Sequence, residues 1–197
     1  MRRHILFLGS GILLLATTGI IYIPKFATQG LAGIELTFLS NFASGLLLAL
    51  DGILRMQKKK AVRQEFHISA SGILLCVLLI SVACIGEANF SGFFMFLHVF
   101  NPLLATILTI VFTYQNQIRF LPTFVGTFLF ALLYLIYVIL YGYQSGDWLY
   151  SIINVQEKGF PFVILFFLII CAILAGLEYG LYYCSKLLHE RSAKRIS

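Results

Sequence analysis

Charge is what this chain has least of. Of its 197 residues only 11% are Asp, Glu, Lys or Arg, against 60% that are apolar, and mean hydropathy is +0.94. Soluble domains are about a quarter charged and about half apolar, so a soluble globular domain is excluded. Proline and cysteine are scarce too, at four each. No two cysteines form a C-x-x-C pair. Cys76 and Cys84 fall in one apolar stretch and Cys171 and Cys184 in another, which reads as small packing residues rather than disulfides or metal ligands. Zinc, nucleotide and haem motifs are missing, so neither metal nor cofactor is expected. There is no convincing repeat or low-complexity segment.

What the chain does have is apolar sequence in long runs. Six stretches lie at about 4–23, 33–54, 68–86, 92–112, 121–142 and 162–183. Each is near the ~20 residues that cross a hydrocarbon core of about 30 Å. Six spans and short loops use up the chain, which predicts an all-α six-helix bundle and a single integral membrane domain over 1–197. Pro24, Pro122 and Pro161 are expected at span ends, where a missing backbone donor costs least, and only Pro102 inside a span.

The basic residues orient the bundle. Arg2, Arg3, Arg55, Lys58, Lys59, Lys60, Arg63, Arg119, Lys186, Arg191, Lys194 and Arg195 fall on one side, and only Lys25 and Lys158 on the other. The positive-inside rule then predicts a multi-pass cell-membrane protein with both termini in the cytoplasm. The net charge of +6 thus reports topology. The Lys58–Lys60 run reads as an anchor to anionic headgroups, so membrane lipids are the expected partners and nucleic acid is not. The first stretch follows Arg2 and Arg3 as a signal peptide would. It is too long for a typical signal core and no A-x-A-like site closes it, so it reads as a spanning helix. The longest outer loop, about 143–161, holds Trp148 and Tyr150, which suit a segment lying against headgroups.

Polar groups inside lipid are costly and mark sites by default. Thr37, Ser40, Asn41 and Ser44 recur at i, i+3, i+4 and i+7, with Asp51 near the same face, so this stripe is expected to look into the bundle. Hydrogen-bonding glue between helices is the plain alternative to function. In the fourth span, His98, Asn101 and Pro102 stand together. Proline at 102 cannot donate to the carbonyl of residue 98, which weakens the helix beside the histidine. Asn101 is placed to orient the imidazole or to occupy a freed backbone group, and a proline kink with a satisfied buried histidine is the alternative. Thr37 lies about 6 Å into its span and His98 about 9 Å into its own at about 1.5 Å per residue, both counted from the outer side. The hydroxyl and the imidazole can therefore share a level, a condition for a nucleophile–base pair. A second, inner polar level holds Asp51 and Glu178. Glu178 sits between Gly176 and Gly180, a pattern that permits close helix contact, and is open to pairing with a snorkelling lysine or with Tyr182, or to a relay role. Glu35 and Glu87 lie near the outer boundary, placed to hydrate there or to modulate His98. His4, His67 and His189 read as interface residues.

Leu36-Thr37-Phe38-Leu39-Ser40-Asn41 resembles the F-T-x-x-S-N element of a prokaryotic six-span membrane family, and Leu97-His98-Val99-Phe100-Asn101-Pro102 resembles its L-H-x-x-x-P element. The outer loop followed by Gly159-Phe160-Pro161 has the family's layout. About a dozen residues carry the likeness, which spans most of the chain in topology. Leu36 stands where an aromatic residue is usual, and no acidic or tryptophan residue follows Pro102 closely. That prokaryotic group is similar to the eukaryotic androgen-induced proteins, intramembrane hydrolases with a threonine nucleophile and a histidine that act on fatty acid esters of hydroxy fatty acids. The resemblance implies Thr37 as nucleophile and His98 as base, with a long-chain acyl ester as substrate. Ser40, Asn41 or Asn101 would then support the developing oxyanion. A small transporter or channel lined by the same residues, a non-catalytic membrane partner, and an acyltransferase on the same scaffold remain open alternatives.

Overall fold

The computed structural model describes residues 3–29, 34–83, 92–114 and 118–194. Cys84, Glu87 and the boundaries drawn at 33 and 86 lie outside the described residues. Within them the chain is helical: α1 Arg3–Gln29, α2 Leu36–Met56, α3 Gln64–Ala83, α4 Gly92–Met95, α5 Asn101–Phe112, α6 Phe120–Ser145, α7 Val155–Lys158 and α8 Phe160–Lys194. A π-helical turn, Phe96–Phe100, joins α4 to α5 without a break, and a short 3-10 turn, Ser151–Ile153, precedes α7. Five helices (α1, α2, α3, α6 and α8) are long and apolar enough to cross a membrane, and a shorter apolar helix runs Phe96–Phe112. The chain is thus an all-α protein of the polytopic membrane kind.

Three helix ends differ from those expected. α1 continues through Pro24 to Gln29, so Pro24 lies inside the helix. A proline removes one intrahelical donor, a local loss that the last turns of a long helix can carry. α8 runs on past residue 183 to Lys194. No glycine or proline stops it there, and Lys186 and Glu190 face each other one turn apart at 3.8 Å. α6 likewise reaches Ser145, where Gly146 takes a left-handed φ of 73° and ends it.

α1 and α2 pack antiparallel along a seam of glycines. A Cβ on Gly11 would lie 2.4 Å from the Ala49 nitrogen, and one on Gly52 would lie 2.5 Å from the Leu8 nitrogen. Backbone approach this close is available only to residues without a side chain. The pattern at Gly176 and Gly180 does not do this work: nothing lies within 4 Å of a Cβ at either. The apolar core sits between α1, α2 and α5, where Phe7, Leu14, Leu48 and Leu108 are all buried.

Candidate functional site

The polar stripe of α2 is buried as its spacing requires: Thr37, Ser40, Asn41, Ser44 and Asp51 are each at most 7% exposed. At the N-terminal end of the stripe Thr37 Oγ1 lies 3.2 Å from His98 Nε2. The other ring nitrogen, Nδ1, lies 3.0 Å from the Phe94 carbonyl, which can only accept. A proton on Nδ1 therefore satisfies that carbonyl and leaves Nε2 a lone pair facing the threonine hydroxyl. The Phe94 ring stacks on the imidazole with centroids 3.7 Å apart and fixes its plane.

The π-helical turn explains how the fourth helix presents this histidine. The Asn101 N–H reaches back to the Phe96 carbonyl, five residues away. Continued at that spacing, the next donor would meet the Leu97 carbonyl, but residue 102 is proline and has none. Asn41 supplies it from the neighbouring helix: its Nδ2 donates to the Leu97 carbonyl at 3.2 Å and to the Thr37 carbonyl at 2.8 Å. Asn41, rather than Asn101, thus occupies the freed backbone group. Asn101 Nδ2 donates to Asn41 Oδ1 at 2.8 Å and to Thr17 Oγ1 at 3.1 Å, tying α1, α2 and α5 together. Ser40 Oγ donates to the Thr37 carbonyl. Ser40, Asn41 or Asn101 was expected to support an oxyanion; the amide protons of Asn41 and Asn101 bridge neighbouring helices, and the Ser40 proton goes to its own helix.

Thr37 and His98 both line a cavity of about 550 Å³. Its walls come from α2, α3, α4 and the π turn, α6, the outer segment and α8. The polar lining comes from Glu35, Thr37, Ser81, His98, Tyr134 and Tyr150, around the start of α2. Elsewhere the walls are almost entirely apolar, with Ile73, Phe166, Ile170 and Leu174 among them. Tyr150 is not spread on the surface with Trp148, as an interfacial segment would have it. Its hydroxyl turns inward and accepts the Leu36 N–H at 3.1 Å. Burial pushes that hydroxyl above the ordinary tyrosine range, so it remains a donor at neutral pH. Trp148 packs against Gly142 and edge-on to Tyr143.

Asp51 and Glu178, expected at one inner polar level, belong to two separate sets. Asp51 accepts from Arg55 in a bidentate pair, both bonds at 3.0 Å, and from the Val62 N–H at 3.0 Å. Its second oxygen also lies 3.1 Å from His67 Nε2. His67 is 2% exposed, a core residue and not the interface residue its position suggested. Nothing in its local sequence marks it, because its partner lies sixteen residues away. Glu178 accepts from Thr127 and rests against Gly72, where a Cβ would come 3.1 Å from its Cγ. Its partners across the helices are Thr127 and Ser69, not Tyr182 or a lysine. Glu35 pairs with Lys25 and accepts from Tyr22 at 2.7 Å. Among the described residues no cluster of His, Cys, Asp and Glu has the form of a metal site.

No family model, no curated protein and no solved structure matches the chain.

Proposed function

We propose that this protein is a six-span intramembrane hydrolase of acyl esters, with Thr37 as nucleophile and His98 as general base. The observation that carries the reading is the 3.2 Å approach of Thr37 Oγ1 to a ring nitrogen whose ring partner is a carbonyl. A threonine hydroxyl is a weak nucleophile unless a neighbouring base takes its proton as it attacks. His98 Nε2 takes that proton while Oγ1 bonds to the ester carbonyl carbon. The same proton then passes to the alkoxide as the C–O bond breaks, giving an acyl-threonine and a free alcohol. A water deprotonated by His98 then attacks the acyl carbon, the bond from that carbon to Thr37 Oγ1 breaks as the imidazolium returns the proton to Oγ1, and the carboxylic acid leaves. Thr37 stands in the first turn of α2, where leading amides lack intrahelical partners and favour negative charge on the reacting carbonyl oxygen.

The cavity supports a lipid substrate. An apolar chamber with its polar groups gathered at one end suits an acyl chain whose ester stays at the Thr37 level. The two polar levels of α2 are separated by Leu48, packed with Phe7, Leu14 and Leu108, so a closed bundle fits better than a continuous polar path. The resemblance of the 36–41 and 97–102 elements to the prokaryotic family similar to the androgen-induced proteins agrees with the same pair. In this reading Gly92–Phe112 makes the sixth crossing, its helical segments together matching the 21 residues of α2. Both termini then lie on the side that carries most of the basic residues.

The test is covalent labelling with an alkyl fluorophosphonate on the full-length protein in micelles. The wild type incorporates one phosphonyl group at Thr37 and Thr37→Ala incorporates none. Labelling that persists in Thr37→Ala would remove the nucleophile assignment.

A further inference from the structure

The backbone just ahead of Thr37 is gripped from outside its own helix. The Ile34 N–H donates to the Tyr137 hydroxyl at 2.8 Å, and the Tyr134 hydroxyl donates to the Ile34 carbonyl at 3.1 Å. The Leu36 N–H donates to the Tyr150 hydroxyl at 3.1 Å, and the Tyr134 and Tyr150 oxygens lie 3.2 Å apart. A phenol has one proton to give. That of Tyr134 goes to Ile34, so the proton joining the two tyrosines comes from Tyr150. The result is a directional chain from the Leu36 N–H through Tyr150 and Tyr134 to the Ile34 carbonyl, in which each bond polarises the next. It leaves the main chain at one residue and returns to it two residues earlier.

This clamp stands where α2 has no local means of fixing its start. The N-cap residue is Glu35, and its side chain makes no capping bond to the helix. It is drawn away to Tyr22 and Lys25 instead. The direction in which the first turn presents Thr37 therefore depends on α6 and on the outer segment that bears Tyr150. That segment also forms part of the cavity wall, since Leu149, Ile152 and Ile153 line it beside Tyr150. Nucleophile and base must meet at hydrogen-bond distance, and small misplacements slow such reactions severely.

We infer, resting on the reading of Thr37 and His98 as a nucleophile–base pair, that Tyr150 is a positioning residue. Acting through Tyr134 and the backbone of residues 34–36, it holds the Thr37 hydroxyl in line with His98 Nε2. It also makes placement of the outer segment and alignment of the nucleophile one hydrogen-bonded unit.

The experiment uses the full-length protein in micelles and an alkyl fluorophosphonate, and reads two quantities, the final stoichiometry and the rate of labelling. Tyr150→Phe and Tyr134→Phe are expected to reach the wild-type stoichiometry roughly tenfold more slowly. The double variant should be little slower than either single one, because both break the same chain. Amide exchange over residues 34–39 should quicken in the same variants. Reduced stoichiometry with an unchanged rate per labelled site would make Tyr150 a folding residue and overturn the inference. Unchanged rates, or single effects that multiply in the double variant, would overturn it as well. A wild type that takes no label, or a Thr37→Ala that labels normally, defeats the hydrolase reading itself. That result is distinct, because it is read before any tyrosine is changed.

Discussion

At the scale of single residues, the chemistry turns on which proton sits where. The Phe94 carbonyl accepts from Nδ1, so the free lone pair of His98 is the one aimed at Thr37. Replacing His98 by glutamine keeps a polar side chain and removes the proposed base. His98→Gln should slow labelling of Thr37 by about 10²-fold to 10⁴-fold, the usual worth of a positioned general base. A base works unprotonated, so wild-type labelling should rise with pH until the imidazole is neutral and then level off. His98→Gln should lack that limb, and rates taken across pH 5 to pH 9 on both proteins check the sign. Thr37, His98 and the α2 stripe could be read from residue type and spacing, because lipid makes any buried hydroxyl or imidazole conspicuous. His67 could not: its burial comes from a carboxylate that only folding brings to it.

At the scale of elements, two local irregularities do most of the positioning. The first is the π turn, in which proline at 102 removes a donor and Asn41 on another helix restores it. The sequence shows the proline and the weakened helix but not the partner, since an asparagine at helical spacing bonds equally well to many neighbours. The second is the glycine seam between α1 and α2. Gly52 sits against the Leu8 backbone, where a side chain has no room and the main chain cannot rotate away. Gly52→Val should therefore force the helices apart and destabilise the bundle by about 1–3 kcal/mol. Gly176→Val, which meets nothing within 4 Å, should leave stability nearly unchanged. Unfolding of both variants in mixed micelles by a denaturing detergent compares them directly, and equal losses would contradict the seam. A G-x-x-x-G pattern draws the eye to Gly176 and Gly180, yet the close contacts fall to glycines with a wider spacing.

At the scale of the whole molecule, the expected arrangement is six crossings with both ends on the basic side. A reporter that fluoresces only in the cytoplasm should be active when fused after residue 197. A phosphatase that works only outside should be active when inserted in α7 between Val155 and Lys158. The opposite pattern for either fusion would reverse or break the proposed topology. The molecule also decides what the cavity is. α6 and α8 meet at Thr127–Glu178 and at the Phe128 and Phe167 rings, whose centroids lie 5.8 Å apart. Phe130 and Tyr134 of α6 and Phe167 and Ile170 of α8 line the chamber beside Thr37.

That the chain is helical and suited to lipid follows from its apolar runs of spanning length, which leave no other way to satisfy the backbone. The sequence also determined which face of α2 turns inward, since helical periodicity gathers the polar groups on one side and lipid will not take them. Only the tertiary structure decided that Thr37 meets His98, that Asp51 and Glu178 keep separate partners, and that three tyrosines hold the start of α2. Those pairings join residues from sixteen to more than a hundred positions apart. Spacing along one helix carries no information about which neighbour it will face.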